Sequence, residues 1–463
     1  MSLPIRLGYV TDEKGKHETP LQYAGDSHLI LTAPSGSGKG RDLLIPALIE
    51  YEGSTVVIDP KGQLAAVTGP GLAKRGKRVM VLNPFNILPR SIGSQAPRDM
   101  QLPHVGFNPL AVLNPEVDSF GADCDALAEA IVLHEGGGDT HWTDSARQLV
   151  SGVIMALFLL HPPKDRSLMK VYEIITGPGF FKTAKLAYET EAEVTGDALI
   201  AGRLGRFTGP KADENKELVS ILSSAITQVN FMGNKAIADS LDPEPGGPSL
   251  RFADIRQAPS TVFLILPIRY LATCSKWFRL VIAAAMADLL QEERGPVGVL
   301  GLFDEFAQLG AMKIMSDIMG IGRGYGLRIW PVLQDLNQLK ELYPQRWETF
   351  LSNAGAQMFF APRDLTTAKW VSDRTGFKQV MVPGKSVSQQ IIGQDTESMG
   401  GNWQYGVQQQ PALRNDELFN LGKDEMILFG ENLPGFVRSR RRAYWDTPEY
   451  KEGVHWNRDP YHT

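Results

Sequence analysis

Residues 33–40 read APSGSGKG, a glycine-rich stretch that decides how the chain is expected to fold. It follows the apolar run HLILTA at 28–33 and precedes RDLLIPALIEY at 41–51, which can form a helix. A strand, a tight glycine-rich turn and a helix in that order are the context of a phosphate loop, in which backbone N–H groups converge on phosphate oxygens. The ammonium of Lys39 would lie on the β- and γ-phosphates. The residues expected to bind a nucleotide are Pro34, Ser35, Gly36, Ser37, Gly38, Lys39, Gly40 and Arg41.

The loop departs from the usual pattern at two positions. Ala33 stands where a first glycine is usual, and Gly40 replaces the Ser or Thr whose hydroxyl helps to hold Mg²⁺. A Gly/Ser-rich surface turn that happens to contain GSGK is therefore the competing interpretation. If the loop does bind a nucleotide, Mg²⁺ has to rest on phosphate oxygens, water and other side chains, which it tolerates because it keeps several waters.

A second stretch supplies the acids that such a site needs. Residues 299–310 read VLGLFDEFAQLG, an apolar strand that ends in Asp304 and Glu305. We expect Asp304 to hold Mg²⁺ and Glu305 to orient and activate the attacking water. Ser37, or Asp59 at the end of VVID, would help to complete the metal site. The alternative is a strand that ends in a solvated acidic turn.

Short apolar runs rich in branched residues alternate with helical or turn-forming segments in both halves of the chain. They occupy residues 28–33, 55–59, 78–82, 261–267, 297–304, 327–333, 356–361 and 425–430. This alternation predicts βαβ units and a parallel sheet buried on both faces. Helical periodicity replaces it from about 110 to 249, so we predict an α/β domain (1–109 and 250–463) with an all-α insertion (110–249). Polar stretches at 90–101 and 384–411 are expected to be surface loops.

Composition narrows the classes of function. The 463 residues carry a formal net charge of −5, which argues against a protein that coats nucleic acid with a broad basic face. Cys124 and Cys274 cannot form a disulfide framework. The longest apolar runs, at 149–160 and 280–290, are shorter than the roughly 20 residues that a bilayer demands, so we expect buried helices there. Because the N-terminus lacks a secretion signal, we expect a cytoplasmic chain without a transmembrane segment.

Several motifs together resemble the type IV secretion coupling proteins, the ATPases of conjugative DNA transfer. The motifs are APSGSGKG at 33–40, DPKG at 59–62, FNPL at 107–110, LFDEFAQLG at 302–310, GRGYGLRIWPVLQDLNQLKELY at 322–343 and NAGAQMFFAPRDLTTAKWVSDRTG at 353–376. The resemblance covers nearly the whole chain. It implies a RecA-like P-loop NTPase domain with an inserted all-α domain, and ATP and Mg²⁺ as ligands. It also implies a homo-hexamer that pumps DNA through a central channel with little sequence selectivity.

The resemblance further implies relaxosome or effector proteins as partners, together with type IV secretion machinery at the inner membrane. Family members commonly begin with a membrane-spanning segment, whereas this phosphate loop lies about thirty residues from Met1. We therefore expect either a truncated form or a chain that partners recruit to the inner membrane.

Three roles follow residue by residue from the resemblance. Arg323, in GRGYG, matches the arginine finger that reaches a neighbouring subunit's nucleotide, and Arg328 is the competing choice although it opens an apolar strand. Gln334 matches the sensor of the γ-phosphate, and its place at the end of a strand suits that role. The expected catalytic residues are Lys39, Asp304, Glu305, Arg323 and Gln334.

Other features leave alternatives open. RSRRRAYW at 438–445 suits either a last strand with solvent-facing arginines, which we favour, or a nucleic-acid contact. Cys124, His134 and His141 lack the short paired spacings of a zinc site. Two other functions remain open: a nucleotide-switched adaptor that recruits protein effectors to a secretion system, and an FtsK-type DNA translocase.

Overall fold

The structure is a computed structural model that describes residues 3–461 except 12–17, 90–91, 93–95, 134–139, 244–247, 292–294, 392–396 and 432. Thirteen strands lie in these residues. They are Ile5–Thr11 (β1), Glu18–Tyr23 (β2), His28–Thr32 (β3), Ser54–Ile58 (β4), Arg78–Leu82 (β5), Ser260–Leu264 (β6), Val299–Phe303 (β7), Leu327–Leu333 (β8), Ala354–Phe359 (β9), Phe377–Ile391 (β10), Glu397–Pro411 (β11), Glu425–Gly430 (β12) and Phe436–Arg440 (β13).

The described residues also form fifteen α-helices, joined by loops and short 3₁₀ turns. They are Ile45–Glu50 (α1), Gln63–Lys74 (α2), Phe120–Ile131 (α3), His141–Leu160 (α4), Leu168–Thr176 (α5), Phe180–Val194 (α6), Leu199–Leu204 (α7), Lys216–Val229 (α8), Lys235–Leu241 (α9), Ile268–Gln291 (α10), Lys313–Ile321 (α11), Leu336–Leu342 (α12), Trp347–Ser352 (α13), Leu365–Arg374 (α14) and Asn415–Phe419 (α15).

Eleven of the described strands form one sheet in the order β2-β1-β13-β12-β9-β3-β8-β7-β4-β6-β5. The strands from β9 to β5 run parallel, and the other four extend the sheet in antiparallel pairs. Every residue of β3, β4, β6 and β7 is buried, because helices cover both faces. The parallel sheet buried on both faces that the sequence predicts is confirmed, and its carboxyl-end edge is where such sheets bind ligands.

Helices α3 to α9 lie between β5 and β6 in the chain, inside the segment 110–249 that we propose as an inserted domain. The two ends of this segment meet, because Gly106 N–H donates to the Pro248 carbonyl (2.9 Å) and Leu250 N–H donates to the Gly106 carbonyl (2.9 Å). Helix α3 packs on α10, which connects the helical segment to one face of the sheet.

Both long apolar runs form buried helices, as predicted. The run at 280–290 belongs to α10, and the run at 149–160 ends α4. Among the described residues, α4 is the one helix long and apolar enough to cross a membrane by length and composition, and 67% of its most apolar window is buried inside the fold.

The prediction of a surface loop at 384–411 is wrong. Strands β10 and β11 form an antiparallel hairpin whose register runs from Phe377 opposite Pro411 to Ile391 opposite Glu397. The hairpin pairs with no other described strand. The residues described at its base, including Phe377, Met381 and Val407, are exposed. Strands whose described side chains are exposed need no apolar alternation there, so the sequence lacks the pattern that reveals strands elsewhere. In the other predicted loop, 90–101, the described residues form a 3₁₀ turn at Arg98–Met100.

Candidate active site

The residues predicted to act together lie at the carboxyl-end edge of the parallel strands. The phosphate loop follows β3, Asp304 and Glu305 follow β7, and Gln334 follows β8. Because β8 lies between β3 and β7, Gln334 directly after β8 lies between the loop and the two acids. Residues almost 300 positions apart in the chain therefore share one cleft.

Lys39 is the central contact of this cleft. Its Nζ lies 2.7 Å from Asp304 Oδ1 and 2.8 Å from Glu305 Oε1, and each of the three side chains is at most 20% exposed. Gln334 Nε2 donates to the other oxygen of Glu305 at 3.1 Å. The structure thus brings together four of the five residues that the sequence nominates as catalytic.

One ammonium cannot neutralise two buried carboxylates, so the pKa values of the two acids move apart. Burial raises the pKa of Asp304 above its usual value, although Lys39 opposes the shift. Burial also acts to raise the pKa of Glu305, but the Lys39 ammonium and the Gln334 amide outweigh it and hold that pKa low. Burial acts to lower the pKa of Lys39, but the two carboxylates outweigh it and raise that pKa. Two carboxyl groups thus face one ammonium in this cleft, an arrangement that suits a further cation.

The backbone of the loop leaves an open space above the strand. Gly36 and Gly38 adopt φ values of +74° and +87°, which glycine reaches without strain. A Cβ at Gly36 or Gly40 would meet no atom within 4 Å, so the loop faces free volume. The chain then enters a π-helical turn at Gly40–Leu44 before α1. The amides of the loop are thus at the amino end of a helical segment, as anion binding requires.

The donor atoms fit the Mg²⁺ that the sequence predicts here. Ser37 Oγ is buried and has no hydrogen-bond partner among the described residues, although a buried hydroxyl is normally paired. Asp304 adds a carboxylate at the same loop, where it contacts Lys39. Hydroxyl and carboxylate oxygens are hard ligands of the kind that Mg²⁺ prefers.

Asp59, the other residue considered for the metal, has a different local role. Its Oδ1 accepts Gln63 N–H (3.1 Å) and its Oδ2 accepts Ala65 N–H (2.8 Å), so it caps the first turn of α2. Complete burial raises the pKa of Asp59 to about 7, and the Asp304 carboxylate adds to this rise.

The two candidate finger arginines lie away from this subunit's own cleft. Arg323 is in the turn before β8, at the opposite edge of the sheet, roughly 20 Å from the cleft at 3.3 Å per strand residue. Its side chain is 62% exposed and pairs with Asp26 at 2.9 Å. Arg328 is buried and donates to the carbonyls of Gly25 (3.0 Å) and Leu3 (2.8 Å). Arg328 is therefore a buried residue whose guanidinium is engaged by the backbone of this chain.

Arg441 is a residue of the site that the sequence analysis missed. We predicted solvent-facing arginines in a last strand at 438–445. The strand is present as β13, but Arg441 is 7% exposed. One of its NH groups donates to the Ser37 carbonyl (2.9 Å) and to Asp42 Oδ2 (2.9 Å), and its guanidinium lies 3.6 Å from the centre of the Phe360 ring. The sequence offered a signal, because alternation continued from the buried Ser439 puts Arg441 on the inner side, although β13 itself ends at Arg440.

Arg41, which the sequence predicts to bind the nucleotide, also contacts Asp42 behind the phosphate loop. It pairs with Asp42, with its NH2 group at 2.9 Å from Oδ2, and its guanidinium lies 5.8 Å from the centre of the Trp445 ring. Asp42 therefore receives two arginines just behind the phosphate loop. Burial lowers the pKa of Arg441 to about 10, although Asp42 opposes the shift.

Cys124, His134 and His141 are the side chains that the sequence analysis considered for zinc. The described residues contain no group of three or more His, Cys, Asp or Glu side chains placed to hold a metal ion. His134, one of the three side chains considered, lies outside the described residues.

Comparison with known proteins assigns the family. The family model for "Type IV secretory system Conjugative DNA transfer" matches residues 7–458. The chain belongs to this family. Its similarity to the conjugal transfer protein TraG of Escherichia coli is 26% identity over 440 residues, which covers 90% of this chain and 65% of TraG. Its similarity to VirD4 of Agrobacterium fabrum is 25% identity over 430 residues, which covers 90% of this chain and 59% of VirD4.

Solved structures support the fold of this chain. The plasmid coupling protein TrwB in complex with the non-hydrolysable ATP analogue ADPNP superposes with a TM-score of 0.62 at 15% identity, covering 95% of this chain and 94% of that one. TrwB with ADP and Mg²⁺ gives a TM-score of 0.61 at 16% identity, covering 95% and 93%. The predicted RecA-like fold with an all-α part is confirmed. The chain spans less than two thirds of the length of the TraG and VirD4 proteins that it matches.

Proposed function

We propose that this chain is an ATP-hydrolysing coupling protein that moves DNA toward a type IV secretion channel. The observation that carries the proposal is the contact of Lys39 Nζ with Asp304 and Glu305 at 2.7 and 2.8 Å, directly above the phosphate loop. TrwB, which shares the fold, is known with an ATP analogue and with ADP and Mg²⁺. We assign ATP as substrate and Mg²⁺ as cofactor on that basis.

The proposed roles follow from the geometry. The loop amides and Lys39 bind the phosphates, and Lys39 exchanges its contacts with the two carboxylates for contacts with phosphate oxygens. Glu305, with a pKa held below its usual value, stays ionised at neutral pH and can accept the proton of the attacking water. Gln334 orients Glu305 through its hydrogen bond and would contact the γ-phosphate. Ser37 and Asp304 would hold Mg²⁺, which neutralises phosphate charge when bound.

Arg323 requires a second copy of the chain to act. Its exposed side chain at the opposite edge of the sheet is accessible to a neighbouring subunit's nucleotide, provided that the pair with Asp26 opens. We propose a homo-hexamer in which each Arg323 completes the adjacent site and DNA passes through a central channel. Relaxosome or effector proteins would deliver the cargo, and partners would recruit the chain to the secretion machinery at the inner membrane.

The test is an ATPase assay of the purified chain with and without single- and double-stranded DNA. Lys39→Ala and Glu305→Gln should each reduce turnover at least a hundredfold while circular dichroism stays unchanged, because one loses the phosphate contact and the other the base. Lys185→Ala, at an exposed helix position, is the control. Unchanged hydrolysis in both site variants would refute the motor. Protein-cargo binding without any effect of DNA on turnover would favour the adaptor.

A further inference from the structure

Residues 441–446 follow β13 and lie at the same edge of the sheet as the phosphate loop. Strand β12 is antiparallel to β9 and β13 is antiparallel to β12, so β13 ends at the edge where the parallel strands end. In the sheet order, β13 and β8 lie on opposite sides of β3, which the loop follows. The proposed catalytic acids therefore flank the loop on one side, and residues 441–446 flank it on the other.

A tryptophan of this segment is exposed beside the loop. Trp445 is 41% exposed, although tryptophan side chains are on average largely buried. It lies in the 3₁₀ turn Tyr444–Asp446, which packs on the turn Gly40–Leu44 directly after the loop. Its ring meets the buried Tyr444 ring edge-on, with ring centres 4.8 Å apart. One side of the indole is thus anchored to the core, and the rest is open to a ligand.

Arg41 connects this tryptophan to the loop. A Cβ added at Gly38 would lie 3.0 Å from one of the terminal nitrogens of Arg41, so the guanidinium lies against the loop backbone. The same guanidinium lies 5.8 Å from the centre of the Trp445 ring, within the range of a cation–π contact. The loop, Arg41 and the indole are therefore in successive contact on the side of the loop away from the acids.

The shape of a nucleotide gives this surface an occupant. In the proposed reaction the γ-phosphate faces Glu305 and Gln334, so the base, at the opposite end of the molecule, is directed to the other side of the loop. We propose that Trp445 is the platform on which the base of the nucleotide stacks; this inference rests on the proposed function. An aromatic base and an exposed indole attract each other by stacking. Arg41 lies between this platform and the phosphates.

The platform contacts only the part of the nucleotide that does not react. Its stacking energy is the same in the bound substrate and in the transition state, so it lowers KM and leaves kcat unchanged. It contributes nothing to the binding of inorganic tripolyphosphate, which has three phosphates and no base. A tryptophan that only supports the loop would affect the binding of both ligands alike.

Trp445→Ala tests the inference by calorimetric titration with ADPNP and, separately, with magnesium tripolyphosphate. We expect about tenfold weaker binding of ADPNP, which is about 1.4 kcal/mol and within the range of one stacked base. Tripolyphosphate binding should stay within twofold of the parent. In the ATPase assay the KM for ATP should rise about tenfold, with kcat within twofold of the parent.

Two further variants and a control separate stacking from bulk. Trp445→Phe keeps an aromatic ring and should retain most of the ADPNP affinity, whereas Trp445→Leu keeps an apolar side chain without a ring and should lose it. Trp142→Ala, on α4 at a tryptophan that is 38% exposed, is the matched control and should change none of these values.

Four results would overturn the inference. Unchanged ADPNP binding in Trp445→Ala would remove the platform, and an equal loss for ADPNP and tripolyphosphate would make Trp445 a support of the loop. Equal ADPNP affinity in the Phe and Leu variants would exclude stacking, and this comparison holds even if the alanine variant is unstable. Weaker binding of single-stranded DNA with unchanged ADPNP binding would assign Trp445 to nucleic acid. Failure of the proposed function looks different, because the parent chain would then bind neither ligand and hydrolyse no ATP, which refutes both.

Discussion

At the scale of single residues, Arg441 and Asp42 show how a phosphate loop is supported from behind. The guanidinium of Arg441 contacts the Ser37 carbonyl and the Asp42 carboxylate, and it also donates to the Glu425 carbonyl at 3.2 Å. Both side chains of the ion pair are at most 3% exposed. Removing one partner of a buried ion pair leaves an uncompensated buried charge, which lowers the free energy of unfolding.

Arg441→Met should therefore lower the free energy of unfolding by about 3 kcal/mol and weaken ATP-analogue binding, because the loop loses its support. Arg441→Lys should recover part of the stability, since an ammonium keeps the charge but not the fork of donors. Denaturant unfolding and calorimetric titration measure the two effects. Arg440→Met, next in the chain and with a 53% exposed side chain, is the control and should change stability by less than about 0.5 kcal/mol. Equal effects at 440 and 441 would contradict the assignment.

At the scale of elements, His28 fastens β3 to its neighbours. Ile329 N–H can only donate and the Ile318 carbonyl can only accept, so Nδ1 of His28 accepts (3.0 Å) and Nε2–H donates (3.0 Å). Both contacts require the neutral ring. Burial lowers the pKa of His28 to about 4, whereas an unfolded histidine titrates near 6.5. The first strand of the phosphate-loop unit is thus tied to α11 and β8.

Stability should consequently depend on pH through this residue. Below about pH 6.5, His28 binds a proton in the unfolded chain but stays neutral in the folded chain. The contribution of neutral His28 to the free energy of unfolding is therefore complete above that pH and is lost as the pH falls toward 4. The loss amounts to roughly 3 kcal/mol for a shift of this size. Comparing urea unfolding of the parent and His28→Gln at pH 7.5 and 5 measures it, with His141→Gln on the exposed end of α4 as control. A variant with the same pH dependence as the parent would disprove the role of His28.

At the scale of the whole molecule, we propose that a second copy of the chain completes the site. Arg323 is exposed and lies at the sheet edge opposite its own phosphate loop. Arg323→Ala should therefore reduce turnover at least tenfold with nucleotide affinity retained. A mixture of Arg323→Ala and Glu305→Gln chains, each of low activity alone, should exceed the activity expected from the two chains added together, because the second variant can donate its arginine to the first. ATPase activity of the mixture measures this, and no recovery at any ratio would exclude action between subunits.

The sequence by itself determined the parts of this protein that depend on near neighbours in the chain. Strand, turn and helix preferences are local, so short stretches of sequence were enough to predict three features. These are the phosphate loop, the strand that ends in two acids and the long buried helices. The tertiary structure alone decided which distant residues meet. It placed Arg441 behind the loop, 404 residues from Ser37. It also packed residues 454–461 against α2. It also showed that 384–411 form a hairpin. Such contacts arise from sheet order and close packing, which no local pattern encodes.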